Sequence, residues 1–573
     1  MAANRGEIAT RIFQACTELG KRTVAIYAEA DLSSLHRLKA DEAYPVGAGR
    51  SPVEAYLDIE GIVRLAREKE VDAIHPGYGF LAENAAFARA CRAAGIAFIG
   101  PEPRHLELFG DKLAARRLAR EAGVPVLPGT EEPVEGEAEA LAFAREHGFP
   151  LMVKAVAGGG GRGVRRVRTP EELREALAAA RREAAGAFGR ADVYLEVALE
   201  RPKHVEVQIL ADAAGGVIDL GERDCSVQRR HQKIVEMAPA VGLDPGLRRE
   251  LRRAAVELMR RAGYVNAGTV EFLVGEDGRY AFIEVNPRIQ VEHTVTELVT
   301  GADLVQAQIR IAEGWRLEEL EGILPGPGPL EARGVAIQCR VTSEDPANGF
   351  LPDTGRITAF RAPGGFGVRL DVGAGHPGAE VTPWYDPVLV KVSTWGPTLE
   401  QAAAKMRRAL GEIRVRGVRT NLPFLENVVR HPLFLAGRAA VDFVEGHPEL
   451  FRFPPRRDRG SKLLRYIGEV TVHGAAFAGL PAGAARPAPA PAPARAAERV
   501  REAGAGREER PGPWGDRPPR RILQQEGPEA LARRVLERRE LLLCDTSLRD
   551  AHQSLLATRV RTRDLVEVAE AAA

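Results

Sequence analysis

Residues 153–164 read VKAVAGGGGRGV, and no other stretch restricts the fold as sharply. A strand, LMVKAV, enters a run of glycines, and a second strand, VRRVR, leaves it. The run contains G-x-G-x-x-G at Gly158, Gly160 and Gly163. In a dinucleotide fold a helix opens at such glycines. Here the next helix is expected only at TPEELREAL, with Thr169 as N-cap, Pro170 as first helical residue and Glu172 reaching back. No G-K-[ST] closes the loop, which excludes a Walker loop. What remains is two strands joined by a glycine turn whose N–H groups can lie over phosphates. Taken alone, the run reads equally well as a flexible hairpin tip.

At 573 residues the chain has room for about three or four domains. The net charge of +1 gives no sign of a general nucleic-acid footprint. Cys16, Cys91, Cys225, Cys339 and Cys544 fit no zinc spacing and read as reduced thiols of a cytoplasmic protein. No apolar run approaches the roughly 18 residues of a membrane span, and no signal peptide is expected. Strands and helices alternate over residues 1–110, which predicts α/β architecture with a parallel sheet. A mixed region follows over 111–332, and another α/β unit over 333–450. Nine prolines amid Ala, Arg and Gly between 481 and 519 read as a linker. Beyond it, GPEALARRVLERRE reads as a helix and LLLCDTSLRD as a buried strand, which together are too little for a domain.

The stretch GTVEFLVGEDGRYAFIEVNPRIQVEH, residues 268–293, gives the glycine loop a purpose. A two-residue turn at Asp277-Gly278 would set Glu276 against Arg279 and therefore Glu271 against Glu284. Two carboxylates facing across a ladder repel, and a divalent cation between them removes that cost. Asn286 falls on the same face and offers a third oxygen; the alternative is a solvated acidic hairpin. In SVQRRHQKIV, an extended backbone would put Arg229, His231 and Lys233 on one side. Alone such a run is a solvated face or an RNA patch. It accompanies Lys112, Lys154 and His204, and lysines serve phosphates as point charges while Mg²⁺ bridges two phosphates. The set reads as an ATP site without a P-loop.

With the glycine loop, ERDCSVQRRHQK and FIEVNPRIQVEHTVTE, the chain resembles the ATP-grasp biotin carboxylases from ANRGEIA through HPGYGFLAEN to GVRTNLPFLENV. The resemblance implies an N-terminal Rossmann-like α/β domain (1–110), an ATP-grasp domain (111–332) and a C-terminal domain (333–450). It implies carboxylation of biotin from ATP and bicarbonate with Mg²⁺ or Mn²⁺. Lys112, Lys154 and the lid glycines Gly159, Gly160 and Gly161 would hold phosphates, and Glu196 and Leu199 the adenine through the backbone. His204, Gln228 and His231 would touch the nucleotide; Glu271, Glu284 and Asn286 would hold the metal. Lys233, Arg288, Gln290 and the Val291 amide would hold bicarbonate, with Glu292 as general base and Arg288 and Arg340 facing the biotin oxygen. A carboxylate base within reach and a fixed guanidinium for a developing oxyanion are what that chemistry needs. Two departures stand out. Only Met-Ala precedes ANRGE, so the first strand is short or missing, and Val197 stands where the family has lysine.

Among biotin carboxylases the chain is most similar to those of the pyruvate carboxylases, through Pro287, through SKLLRYIGEVTVHG (residues 461–474) and through LLLCDTSLRDAHQSLLATRVRTRDL. The second resembles the entry to an allosteric and tetramerisation region (451–480). The third, after the 481–520 linker, resembles the start of a carboxyltransferase (β/α)8 barrel (521–573), in which Asp550 would bind metal and Arg549 and Gln553 would face pyruvate. Read alone, Asp550 is a capping aspartate. Lys462 is the last lysine, so no biotinyl lysine follows, and the chain is expected to act as a fragment, carboxylating free biotin slowly and making no oxaloacetate. The resemblance further implies a biotin carrier domain as partner, a dimer through the biotin carboxylase domain, a tetramer at full length and an acetyl-CoA effector. It implies no nucleic-acid or membrane partner. The other readings are a biotin carboxylase subunit of an acyl-CoA carboxylase and a non-catalytic nucleotide-binding module.

Overall fold

The alternating apolar runs at the start of the chain form the expected parallel pairs. The computed structural model describes residues 1–156, 164–188, 190–326, 332–453, 459–473 and 519–537. In it β1 (Val24–Tyr27) pairs with β2 (Glu42–Pro45), and β3 (Ala73–Ile74) with β4 (Ala97–Phe98), both in parallel. Ala2, fully buried, bridges Ala25 on one side and His75 on the other. The Ala2 N–H donates to the Val24 carbonyl at 3.0 Å and the Ala3 N–H to that of His75 at 2.9 Å. The strand expected to be short or missing is thus a three-residue segment that fills its slot in the sheet.

The strand–glycine–strand unit is β5 (Leu151–Ala155) against β6 (Val164–Val167), antiparallel, with β7 (Val193–Val197) on the other edge of β5. Gly158 to Gly163, with Gly159, Gly160 and Gly161, lie outside the described residues. The helix Pro170–Phe188 starts where expected: the Glu172 N–H donates to Thr169 Oγ1 at 3.2 Å. The Glu172 carboxylate takes the Arg168 N–H at 2.6 Å, one residue further back than the usual capping box.

The principal sheet has eight antiparallel strands: β8 (Lys203–Ala211), β9 (Val217–Arg229), β10 (Gln232–Ala238), β11 (Asn266–Val274), β12 (Tyr280–Asn286), β13 (Val335–Thr342), β14 (Val368–Val372) and β15 (Val388–Gly396). Their order is β12-β11-β8-β9-β10-β13-β15-β14. The sheet is therefore continuous across residue 332, where the sequence suggests a domain boundary. The period of two decides what each face carries. Val205, Val207 and Ile209 of β8 and Val270 and Phe272 of β11 pack in one cluster with Leu251, Ala255, Leu258 and Met259 of the helix Pro245–Arg261. Those helix positions recur at helical spacing, and Asp244 caps the helix by accepting the N–H groups of Gly246 and Leu247. His204, Glu206, Gln208, Thr269 and Glu271 alternate with the packed positions and so face the other way.

An ionic group ties that architecture together. Glu297, in the helix His293–Thr300, accepts from Arg11 at 3.2 Å and from Arg369 of β14 at 2.5 Å, and Arg369 also pairs with Asp371 at 2.9 Å. Burial opposes the Glu297 charge, but Arg11 and Arg369 hold its pKa well below the usual carboxylate range. A depressed folded pKa stabilises the protein above the unfolded value of about 4.5 and stops doing so as pH falls through the folded value. Arg369→Met is expected to lower stability by about 1–2 kcal/mol at pH 7, less than a fully buried pair because Arg11 remains. The deficit should shrink toward pH 3. Urea unfolding at both pH values checks this, and a deficit that is the same at both would contradict it.

Residues 455–573 form a second unit. Its described part consists of the helices Arg459–His473, Pro519–Glu526 and Pro528–Leu536. The first contains most of SKLLRYIGEVTVHG, and the last falls within GPEALARRVLERRE. Nearly all of the 481–520 linker, and Arg549, Asp550 and Gln553, lie outside the described residues. No helix among the described residues is long and apolar enough to cross a membrane.

Candidate active site

On the polar face of the principal sheet, one transverse row carries a charge on each of four strands. Arg223 of β9 pairs with Glu206 of β8, Glu206 with Glu271 of β11, and Glu271 with Glu284 of β12. Three carboxylates side by side would repel. Arg223, fully buried, takes the first: it donates to Glu206 at 2.5 Å and also to Gln208, Thr296, Thr269 and Gln290 at 2.7–3.1 Å. Lys233 of β10 projects over the row and donates to Glu206 at 2.5 Å, Glu271 at 2.8 Å and Glu292 at 2.7 Å. Burial works against its ammonium, but the three glutamates hold its pKa well above the ordinary lysine value. The same arrangement holds Glu271 well below the usual carboxylate range: Lys233 and His204 outweigh burial. At the far end Lys112 lies 3.2 Å from Glu284.

The facing of Glu271 and Glu284 is as expected, but the turn that produces it is not. The Gly275 N–H donates to the Arg279 carbonyl at 2.8 Å and the Gly278 N–H to that of Gly275 at 3.1 Å, with Gly278 at φ +80°. This is a three-residue turn over Glu276–Gly278, which places its glycine in the left-handed position. It shifts the pairing by one residue, and an extra residue in β12, Ile283, shifts it back between Phe272–Phe282 and Glu271–Glu284.

The basic run is likewise folded back. Arg229 pairs with Gln232 and Gln228 with Lys233 across a two-residue turn, in which Arg230 and His231 have φ of +49° and +64°. Arg229, His231 and Lys233 therefore do not share one side of an extended segment. Arg229 instead stacks over Phe350 and pairs with Glu344 at 3.1 Å. Two consecutive non-glycine residues in the left-handed region are strained, and such strain collects at functional sites. Beneath the turn Gln228 Nε2 donates to His204 Nδ1 at 2.9 Å, which leaves the imidazole proton on Nε2, 2.7 Å from Glu271.

Glu292 stands just before the helix His293–Thr300, is buried, and turns its carboxylate away from the helix start. One oxygen takes Lys233 and the other takes Arg340 at 3.0 Å. Burial opposes ionisation, but Lys233, Arg340 and Arg223 hold its pKa below the usual carboxylate range. Arg340 is fixed by Glu236 at 2.6 Å, and Gln338 braces the other Glu236 oxygen at 2.9 Å. Arg288 is fixed by Glu83 of the N-terminal region at 2.5 Å and by Asn286 Oδ1 at 2.9 Å. Gln290 donates to Glu271 at 2.8 Å.

One side chain is turned otherwise than the sequence implied. Asn286 directs its amide nitrogen to Glu271 at 2.8 Å and its oxygen to Arg288, so an oxygen for a metal requires the amide to flip. The Glu196 carboxylate is buried between Lys154 and the fully buried Arg116, which also donates to the Leu127 carbonyl at 2.7 Å, so the side chain is occupied while the adenine role expected of Glu196 rests on its backbone. Val197, at the position of a family lysine, is tied by its backbone N–H to the Pro128 carbonyl at 2.8 Å.

All sixteen candidate residues outside the glycine loop and the C-terminal segment line one cavity of about 880 Å³, from Lys112, Lys154, Glu196 and Leu199 at one end to Val291, Glu292 and Arg340 at the other. Sequence reasoning missed Glu206, Arg223, Glu236, Arg116 and Glu83, all of which hold candidate residues. A glutamate set between valines in KHVEVQ was the available signal for Glu206, since a buried strand rarely spends such a position on a charge without a partner. The groups His204/Glu206/Glu271 and Glu206/Cys225/Glu292 have metal-like spacing, but the Lys233 ammonium already takes Glu206, Glu271 and Glu292. A third group, His431/His447/Glu449, is held otherwise: the Leu433 N–H occupies His431 Nδ1, which puts the proton on Nε2, the atom that faces Glu449.

Comparison with known proteins agrees with this geometry. Residues 1–106 match the family described as biotin carboxylase, N-terminal domain. Residues 111–320 match the carbamoyl-phosphate synthase L chain, ATP binding domain, and 338–446 the biotin carboxylase C-terminal domain. The chain is 52% identical to the pyruvate carboxylase of Bacillus subtilis over 569 residues, covering 99% of this chain and 48% of that protein. It is 52% identical to the human mitochondrial pyruvate carboxylase over 571 residues, covering 99% and 47%. The chain thus spans about half the length of the curated relatives it matches. Among solved structures it is similar to the biotin carboxylase domain dimer of Hydrogenobacter thermophilus 2-oxoglutarate carboxylase, solved with MgADP, ADP and bicarbonate. That match has a TM-score of 0.76 and 46% identity, over 79% of this chain and 98% of that one. It is also similar to Rhizobium etli pyruvate carboxylase solved with acetyl coenzyme A, with TM-score 0.77 and 46% identity over 99% and 49%.

Proposed function

The chain belongs to the biotin carboxylase family, and from that membership we propose that it carboxylates biotin with bicarbonate at the expense of ATP, as the N-terminal part of a pyruvate carboxylase. The observation that carries the chemistry is the grip on Glu292: Lys233 on one oxygen and Arg340 on the other, in the same cavity as Lys112 and Lys154. Lys112 and Lys154, with His204, Gln228 and His231, take the nucleotide, Lys112 and Lys154 as charges for its phosphates; Glu196 and Leu199 belong to the adenine end. Glu271 and Glu284, facing hard oxygen donors, would hold Mg²⁺, and Asn286 would join them once its amide flips. A divalent cation held there would supply neutralisation of phosphate charge. Lys233, Arg288, Gln290 and the Val291 N–H bind bicarbonate, and Glu292 removes its proton. Arg288 and Arg340, each fixed by a carboxylate, stabilise negative charge on the biotin ureido oxygen.

Identity at the biotin carboxylase domain does not choose the final acceptor, since a 2-oxoglutarate carboxylase matches there at 46%. What favours pyruvate is that pyruvate carboxylases match over 99% of the chain, beyond that domain. On this reading the domains are those given by the sequence, the partners are a biotin carrier domain and a second copy of the chain, and acetyl-CoA is an effector of the full-length tetramer. The described cysteines Cys16, Cys91, Cys225 and Cys339 are free, which fits a reducing cytoplasm. The test incubates the purified chain with ATP, Mg²⁺ and labelled bicarbonate, with and without free biotin. ADP release should depend on bicarbonate and rise with biotin. A rate indifferent to bicarbonate in both tubes would refute the assignment.

A further inference from the structure

The segment Gln290–Glu292 is held from behind by two buried side chains that the proposed chemistry does not use, His293 and Lys391. His293 Nδ1 lies 2.8 Å from the Gln290 carbonyl, which can only accept, so Nδ1 carries the proton. Lys391 of β15, fully buried, donates to the Val291 carbonyl at 3.1 Å. It pairs with Glu7 of the N-terminal helix Gly6–Glu18 at 3.0 Å and lies across the ladder from Asp371 of β14, whose carboxylate is also held by Arg369. A peptide unit is planar, with its N–H pointing opposite to its C=O. Fixing the Gln290 carbonyl therefore aims the Val291 N–H the other way, into the cavity. Fixing the Val291 carbonyl sets the next peptide plane, from which the Glu292 side chain departs. Lys391 is also the cross-strand partner of Arg340. One strand thus grips the Glu292 carboxylate and its neighbour grips the backbone one residue before it.

We infer that Lys391 is a positioning residue for bicarbonate, holding the Val291–Glu292 peptide so that the Val291 N–H and the Glu292 carboxylate converge on the anion. The inference rests on the proposed biotin carboxylase reading. Stability alone does not call for a lysine here: a buried ion pair is often matched by an apolar residue of similar volume, and methionine would fill this space.

Removing Lys391 alone strands the buried Glu7, so the informative protein is the full chain carrying Glu7→Gln and Lys391→Met together, compared with Glu7→Gln alone. In the double variant kcat/KM for bicarbonate, read from ADP release, should fall about 10- to 100-fold, the scale of a small misplacement of reacting groups. Nucleotide affinity should stay within about twofold, because Lys391 has no part in the phosphate cradle. Glu7→Gln alone should change bicarbonate kinetics less than about threefold. The inference is overturned if the double variant keeps its bicarbonate kcat/KM, if Glu7→Gln alone reproduces the loss, or if nucleotide affinity falls in parallel. Absence of bicarbonate-dependent ADP release from the unsubstituted chain would instead overturn the reading on which the inference rests.

Discussion

Glu292→Gln is expected to lower bicarbonate-dependent ADP release by about 10²- to 10⁴-fold, the usual cost of losing a general base. Glutamine keeps the shape and cannot take a proton. The fold should survive, because Lys233 keeps Glu206 and Glu271 and Arg340 keeps Glu236. Nucleotide affinity should stay within about twofold, since Glu292 belongs to the anion end of the cavity. The depressed pKa of Glu292 has a consequence for how it works. The carboxylate is ionised at neutral pH, as a base must be, but two cations make it a weak one. On the proposed reading, an anion that draws on Lys233 would loosen its hold on Glu292 and raise the proton affinity of that carboxylate. A loss below about threefold with ATP affinity unchanged would assign the proton to another residue.

Lys233→Met should be more damaging, because it removes both the proposed bicarbonate ligand and the cation shared by three carboxylates. Glu206 retains Arg223 and Glu292 retains Arg340, while Glu271 is left with His204 and the amides of Asn286 and Gln290. Carboxylation should be undetectable, and stability at pH 8 should fall by about 3–5 kcal/mol, the range for breaking a buried pair. The pH dependence gives a sharper check. Without the ammonium at least one glutamate acquires a folded pKa above its unfolded value of about 4.5. A carboxyl raised in the folded state costs stability progressively as pH rises through that folded value. The gap between the variant and the unsubstituted protein should therefore narrow from pH 8 to pH 5 in urea titrations. A gap of constant size would mean that the carboxylates do not depend on Lys233.

Local chemistry was legible in the sequence where one strand or one helix start decides it. Thr169 and Glu172 announce their helix, the alternation in β8 and β11 separates helix-facing valines from Glu206 and Glu271, and the parallel N-terminal pairs follow from rhythm. Turn type was less legible. Asp-Gly reads as a two-residue turn, and only the left-handed Gly278 with the Gly275–Arg279 bond reveals three. The error cancelled against Ile283, so the Glu271–Glu284 pairing was right by two compensating steps. The Arg230–His231 turn carries neither glycine nor asparagine, so nothing local marks it. The residues that fix the site were the least legible, because their partners are distant in sequence: Glu236 and Arg340 are 104 apart and Glu83 and Arg288 are 205 apart.

The bulge at Ile283 also bears on what can change in this hairpin over evolutionary time. Above it the strands are paired by the turn; below it Glu271 is locked against Glu206 of β8 and Glu284 against Glu271. The extra residue is slack between those two regions. A one-residue deletion in Glu276–Gly278 can be absorbed by straightening β12 at Ile283, and a one-residue insertion by a second irregularity on the same side. The exposed tip is therefore free to vary in length and composition while the carboxylates deeper in the sheet keep their partners.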